Sequence, residues 1–476
     1  MSAVAPFPRS IEALSPFRRS PELPESVAAS VRGEIPEWLR GELVRTCPAV
    51  FETSGWRAEH WFDGLGMLYA FEIGDSAVAF RSRLLDSETA RDASVGKARL
   101  ATFGTPLVRS LWQRIVEPVP RITDNANVNI VKLGDELVAM TESNRQLVID
   151  QATLAARGAV GYEKDELGQA VMSAHPHFDF ERQRVVNVAT KIGSQGVISI
   201  YEHEPKARRR DIIGSFSRSQ VPYIHSFGLT PANAVIVAHP FAAKPVHMLW
   251  SNRGFIDHFE WKPSEGTRLV VVNRSTGRTR EHLTDPLFVF HTVNAFEREG
   301  RTILDLLAYS SADVISALRV DRMSASLPDL RPSLVRLSLR EGRERAELEV
   351  SSDTGFEFPS TNYRRVNGRD YRFVWGASDG PTHGEYASAI VKIDVETGGA
   401  TSFADGEHVF GEPVFVARPG GSAEDDGVLV TVGSHKSRSS STLAILDAKT
   451  MSLVAAAEVP SAIPLGFHGS FLRARA

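Results

Sequence analysis

Residues 269–282 read LVVVNRSTGRTREH: an aliphatic stretch rich in β-branched residues, a polar turn carrying Thr276 and Gly277, and a second strand-like stretch. This is the signature of a β-hairpin with period-two alternation. The same pattern returns as LVIDQATLAA from Leu147, IVKIDVETGGATSF from Ile390 and LAILDAKTMSLVAAAEV from Leu443, and more loosely as LVRLSLREGRERAELEV from Leu334. The starts lie about 50 to 120 residues apart, one or two units of about 60 residues, which suits the four-stranded blades of a β-propeller. Divided over seven blades, 476 residues leave 68 for each. Neither a Gly/Ser linker nor a charge block marks a boundary, so the chain reads as one domain over 1–476, with 1–35 as an N-terminal extension.

Composition narrows the function. With 54 Lys+Arg against 58 Asp+Glu the net charge is −4, so no cationic excess exists to neutralise a nucleic-acid backbone. A single cysteine, Cys47, permits neither an internal disulfide nor a cysteine-based metal site, which fits a reducing cytoplasm. Any metal must be held by histidine and carboxylate. The N-terminal stretch lacks the apolar core of a signal peptide, and no run of 18 apolar residues follows. The expectation is a cytoplasmic protein, peripheral on the inner face of the membrane. One helix is predicted over Pro106–Glu117, within a segment of about 103–120. Leu107, Leu111 and Ile115 share a face with Trp112 beside them, so the helix either caps the barrel or dips this face into lipid with Arg109 and Arg114 at the headgroups.

Four of the fourteen histidines sit at the edges of apolar, strand-like stretches: His175 in SAHPHFDF, His225 in PYIHSFGLT, His291 in FVFHTVNAFE and His468 in PLGFHGSF. Their spacings of 50, 66 and 177 residues are near one, one and three blade lengths, and in a propeller the innermost strands of distant blades converge on one axis. Four neutral imidazoles around an axis suit a first-row divalent metal with open positions for dioxygen or substrate. His177 flanks the same proline as His175, and either fits as the ligand. Ligand histidines normally donate their second ring N–H to a carboxylate. Glu142, Glu357 and Glu412 are embedded in apolar strands and qualify; the plainer alternative pairs them with arginines such as Arg364 or Arg418.

These residues resemble the carotenoid cleavage oxygenases almost end to end. The resemblance is carried by RGELVRTCPAVFE from Arg40, HWFDGLGMLYAF from His60, TDNANVNIV from Thr123, the four histidine motifs, FEFPSTNYRRVNGRDYRFVWG from Phe356 and EPVFVARPGG from Glu412. It implies a seven-bladed, all-β propeller with a few helices and long loops capping the active-site face. It also implies one Fe(II) per subunit held by His175, His225, His291 and His468, leaving His177 a bystander. Glu142, Glu357 and Glu412 would each orient one of the last three histidines. The implied activity is a dioxygenase that adds O2 across a double bond of a carotenoid or apocarotenoid, giving two carbonyl products without NAD, flavin or 2-oxoglutarate.

Stilbene-cleaving members carry a lysine directly before the first glutamate and a tyrosine upstream. Here Thr141 precedes Glu142 and ATFGTPLV contains no tyrosine, which favours an apolar polyene over the alternative, a stilbene or phenylpropenoid cleaved to aromatic aldehydes. Phe62, Phe103 and Thr141 are the candidate substrate contacts, Phe62 and Phe103 also fitting ordinary core positions. The remaining expected partner is a membrane surface, reached through Leu107, Leu111, Trp112 and Ile115, with no obligate protein partner.

Overall fold

A computed structural model of the chain describes residues 11–75, 77–323, 331–352, 354–379 and 387–474. Among these, seven sheets of four to six strands follow one another, and they are blades I to VII of a β-propeller. Blade I joins Gly41–Val50, Leu65–Ile73 and Val78–Leu84 to the C-terminal Gly469–Arg473. Blade II holds the four strands between Asn129 and Ala159, and blade III those between Val171 and Arg218. Blade IV runs from Phe227–Leu229 to Thr279–Thr284, blade V from Phe288–Arg298 to Glu347–Ser352, and blade VI from Glu357–Ser360 to Ala400–Phe403. Blade VII contains His408–Phe410, Val414–Ala417, Gly427–His435, Ser441–Asp447 and Leu453–Val459.

All five hairpins read from sequence form, each within one blade. Their alternation is one of faces and not of polarity. Leu269, Val270, Val271 and Val272 are all fully buried. Val270 and Val272 pack with Val186, Ile198 and Ile236 toward blade III, whereas Leu269 and Val271 pack with Leu304 and Leu337 toward blade V. Side chains still alternate between faces, but both faces meet a neighbouring blade, so the strand is apolar throughout. Polar alternation survives on outer strands such as Asp211–Arg218.

The ring closes where the two ends of the chain share blades. Gly469–Arg473 pairs with Gly41–Arg45. Residues 11–35 do not stand apart as an extension: Val27–Ala28 edges blade I, Ser30–Gly33 edges blade VII, and Ile11 and Phe17 are buried in the core. Unpaired sheet edges present rows of free N–H and C=O groups that a further strand can pair, and this segment pairs two such edges. Residues 1–10 of the expected extension lie outside the described residues.

The predicted helix is shorter than its pattern. It spans Leu111–Val116, with Ser110 as N-cap and Gln113 completing a capping box. Leu107 lies before it and is buried, its N–H donating to the Asn252 carbonyl (2.7 Å), so it does not belong to the exposed face. Arg109 is also buried and donates to the carbonyls of Ser251 (2.6 Å) and Glu117 (2.8 Å) instead of reaching outward. Leu111, Trp112 and Ile115 are exposed by 69, 71 and 56%. No described helix is long and apolar enough to cross a membrane.

Two buried histidines, His60 and His239, are pushed down by burial to a pKa of about 3. Their folded values lie below the unfolded value of about 6.5, so at intermediate pH the unfolded chain binds more protons. Folding stability is therefore expected to fall as pH drops from 6.5 toward 4, by roughly 1 kcal/mol per pH unit for each ring. Urea unfolding at a series of pH values measures this; a flat profile would contradict it.

Candidate metal centre

Each of the four histidines lies at or near the start of an inner strand. His175 precedes His177–Asp179, His225 precedes Phe227–Leu229, His468 precedes Gly469–Arg473, and His291 sits within Phe288–Arg298. The register of that last strand shifts between Val289 and Thr292, a bulge that lets both Phe290 and His291 reach the central cavity. Serines next to the histidines bind neighbouring loops together. Ser173 Oγ donates to the His225 carbonyl (2.6 Å) and accepts from His175 N (3.1 Å); Ser226 Oγ donates to the Phe290 carbonyl (2.7 Å) and accepts from Thr292 N (2.8 Å).

The result is a convergence of four imidazoles whose candidate ligand nitrogens lie within 4.8 Å of one another. His175 Nε2 is 3.0 Å from His225 Nε2, and His291 Nε2 is 3.1 Å from His468 Nε2. On three rings the other nitrogen faces a carboxylate: His225 Nδ1 on Glu142 (2.5 Å), His291 Nδ1 on Glu357 (2.5 Å) and His468 Nδ1 on Glu412 (2.8 Å). An ionised carboxylate only accepts, so each of these Nδ1 atoms carries the hydrogen and each Nε2 lone pair points inward. Burial pushes the pKa of His225 down despite Glu142, and that of His468 to about 4 despite Glu412. His175 is held well below its ordinary value by burial and then by the three other rings. Converging lone pairs on neutral rings repel one another unless a cation lies between them, so the donor set fits a borderline divalent metal.

The carboxylates have partners that sequence reasoning did not identify. Tyr223 Oη donates to Glu142 (2.7 Å) and Tyr309 Oη to Glu357 (2.6 Å). The buried Arg45 lies 3.5 Å from Glu412 and donates to the carbonyls of Glu412 (2.7 Å) and Phe467 (2.8 Å). The signals were present: Tyr223 stands two residues before His225 on one face of an extended segment, and Arg45 interrupts an apolar strand. The arginines considered from sequence are engaged elsewhere, Arg418 with Asp426 and Arg364 over Phe180. Burial raises the pKa of Glu357 and of Glu412, but the histidine, hydroxyl, guanidinium and backbone N–H groups around them outweigh it, and both are held below the usual range. Phe358, with φ of +56°, is in the left-handed region that a bulky residue rarely adopts. This backbone turn sets Glu357 against His291 and lays the Phe358 ring near His291 and His468, at centroid distances of 5.7 and 5.4 Å.

A cavity of about 610 Å³ opens on the cluster, lined by His225, His291 and His468. Phe62, Phe103 and Thr141 all line it. Phe62 is the hub of its aromatic wall, with ring centroids 4.9 Å from Phe103, 5.1 Å from Phe467 and 5.8 Å from Phe290. His175 faces a second cavity, of about 670 Å³, together with His177. His177 is turned away from the cluster: Nε2 contacts the Phe227 carbonyl (2.9 Å) and Nδ1 the Tyr363 hydroxyl (3.2 Å).

Replacing Glu357 with Gln keeps an acceptor for His291 but removes the charge. Divalent-metal affinity is expected to fall by about 10- to 100-fold, measured by chelator competition with Co(II). Unchanged affinity would show that the carboxylate does not tune the ring.

The same architecture recurs in known proteins. The mitochondrial carotenoid-cleaving dioxygenase of Mustela putorius furo is 29% identical, the match covering 95% of this chain and 94% of that one. The beta,beta-carotene 15,15'-dioxygenase of Mus musculus is 28% identical over 94% of this chain and 89% of its own. The solved structure of a Synechocystis apocarotenoid oxygenase variant superposes with a TM-score of 0.84 at 27% identity, covering 97 and 98% of the two chains, and that oxygenase has also been solved with cobalt substituted. The model of the retinal pigment epithelial membrane protein family matches residues 17–473. With its seven blades, its histidine cluster and a family match over nearly its whole length, this chain belongs to that family, the carotenoid cleavage oxygenases.

Proposed function

We propose that the four-histidine cluster holds one Fe(II) and that the protein cleaves a carbon–carbon double bond of a carotenoid or apocarotenoid with dioxygen. The observation that carries this reading is the junction of the carboxylate-backed histidines with an aromatic cavity of about 610 Å³. When bound, iron supplies open coordination positions at which dioxygen is activated. The overall reaction balances without a reductant: the alkene and O2 contain all the atoms and electrons of two carbonyl products.

The chain's own residues then have three tasks. Glu142, Glu357 and Glu412 fix the tautomer and orientation of His225, His291 and His468, the rings that border the cavity. His175 completes the donor set from the opposite side. Phe62, Phe103, Phe290, Phe358 and Phe467 form walls suited to a flat conjugated chain, positioning the double bond and excluding water. Thr141 directly precedes Glu142 on the cavity wall, where a phenol would need a charged partner. The stilbene reading is not favoured, since the relatives named above are carotenoid and apocarotenoid enzymes.

A polyene of this kind resides in lipid, and the reading includes docking on a membrane surface. Leu111, Trp112 and Ile115 project beside Val246 and Trp250, which are exposed by 61 and 50%. Trp250 N donates to the Pro118 carbonyl (3.1 Å), and Arg109 binds the loop at Ser251, so the two segments form one apolar platform. Val119, Val246 and Leu249 line the cavity as well, which supports entry of the polyene from the platform.

Aerobic incubation of Fe(II)-loaded protein with β-carotene, an apocarotenal, resveratrol and isoeugenol, followed by mass spectrometry, tests the reaction. Paired carbonyl products are expected from a polyene; aromatic aldehydes from the phenols alone would overturn the substrate assignment. For the membrane, Trp112→Glu is expected to reduce co-sedimentation with phosphatidylcholine vesicles several-fold. Equal sedimentation of the variant and the unaltered protein would remove the platform from the docking role.

A further inference from the structure

Most polar side chains lining the substrate cavity are already engaged. The Asp63 carboxylate accepts from Phe103 N (2.7 Å), Gly104 N (2.8 Å) and Thr105 Oγ1 (2.7 Å). Asn125 spans Gly64 and Gly66 through its amide, and Tyr309 is bound to Glu357. His258 differs. It lines the cavity and is only 7% exposed, and among the described residues it makes no side-chain hydrogen bond: Nδ1 is packed into the wall without a partner, which leaves Nε2 as the ring nitrogen accessible to a cavity occupant.

The backbone that presents this ring is well held. His258 ends the short 3-10 turn Phe255–His258. Phe255 N donates to the Thr102 carbonyl (3.2 Å) and Ile256 N to the Phe103 carbonyl (2.8 Å), so the turn is bound to the loop that carries Phe103 and that Asp63 ties down. Arg319 holds Asp257 at 3.3 Å. The ring therefore does not reach its position by chance mobility; a preorganised wall presents it to the cavity. Burial, with the neighbouring Arg253 charge, pushes its pKa down, so the imidazole is neutral and offers one N–H and one lone pair. A neutral imidazole of this kind pairs with a hydroxyl or a carbonyl oxygen. A hydrocarbon leaves it unpaired.

Resting on the polyene reading above, we propose that His258 hydrogen-bonds a terminal hydroxyl or carbonyl oxygen of the substrate. The cavity thereby prefers oxygenated carotenoids or apocarotenoids over hydrocarbon ones. Such an anchor also sets how far the chain slides along the cavity, and hence which double bond lies at the histidine cluster.

The test is an anaerobic titration of the iron-loaded protein, with binding read from the polyene absorbance so that no turnover is needed. Zeaxanthin and β-carotene share a carbon skeleton and differ only in ring hydroxyls; an apocarotenal and the hydrocarbon of equal chain length form the carbonyl pair. The unaltered protein is expected to bind an oxygenated member about tenfold more tightly than its hydrocarbon counterpart. His258→Phe, which fills the space without a polar atom, is expected to abolish that preference, and His258→Asn to retain part of it. Under aerobic turnover His258→Phe is expected to broaden the set of bonds cut. The inference is overturned if the unaltered protein shows no preference within either pair, or if the preference survives in His258→Phe. Failure of the unaltered protein to bind any of the four polyenes would instead overturn the polyene reading and this inference with it.

Discussion

The structure turns on three hydrogen bonds from imidazole Nδ1–H to buried or half-buried carboxylates. They decide that His225, His291 and His468 all present the same tautomer, with the Nε2 lone pair toward the axis. A carboxylate at such a position is tolerable only when its oxygens are satisfied. Tyr223, Tyr309 and Arg45 supply the remaining contacts, and Gly469 N adds a further one to Glu412 (3.0 Å). Removing any of them would leave charge or lone pairs uncompensated at the centre of the ring. The rest of the fold can be understood as what is needed to bring these groups together from six of the seven blades.

Around that centre the chain builds two different surroundings. On one side the loops between blades I and II, together with residues 244–258, cover an aromatic cavity. One buried carboxylate, Asp63, ties the Phe103–Thr105 stretch of those loops to the turn after His60. Burial raises its pKa to about 6 even though a hydroxyl and backbone N–H groups around it act in the opposite direction. On the other side His175 meets a cavity with more hydroxyl and charged groups, where His177 and Tyr363 hold each other. Of the two cavities that border the cluster, the one walled by Phe62, Phe103 and Phe467 suits a flat apolar substrate.

The pattern of the hairpins was legible because strand alternation is local. What the alternation meant was not, because a residue facing a neighbouring blade and one facing the opposite blade are both apolar, as Leu269 and Val270 show. The helix after Pro106 was overextended for a similar reason. Leu107 has helical spacing relative to Leu111, yet its N–H is taken by Asn252, a residue 145 positions away. Arg109 likewise has the sequence appearance of a headgroup contact while its guanidinium holds the loop at Ser251.

The sequence by itself determined the class of fold, the four histidines, their three glutamates and two of the aromatic residues of the cavity, Phe62 and Phe103. Each of these lies in a short motif whose residue types are demanded by local chemistry: apolar strands, metal-binding imidazoles and carboxylates that accept a ring N–H. Only the tertiary structure decided that Tyr223, Tyr309 and Arg45 satisfy the carboxylates and that residues 27–33 complete two blades. Only it revealed His258 as an unpaired group in the cavity wall. These depend on contacts between residues far apart in the chain, set by the geometry of blade packing, and no local pattern encodes such a distance.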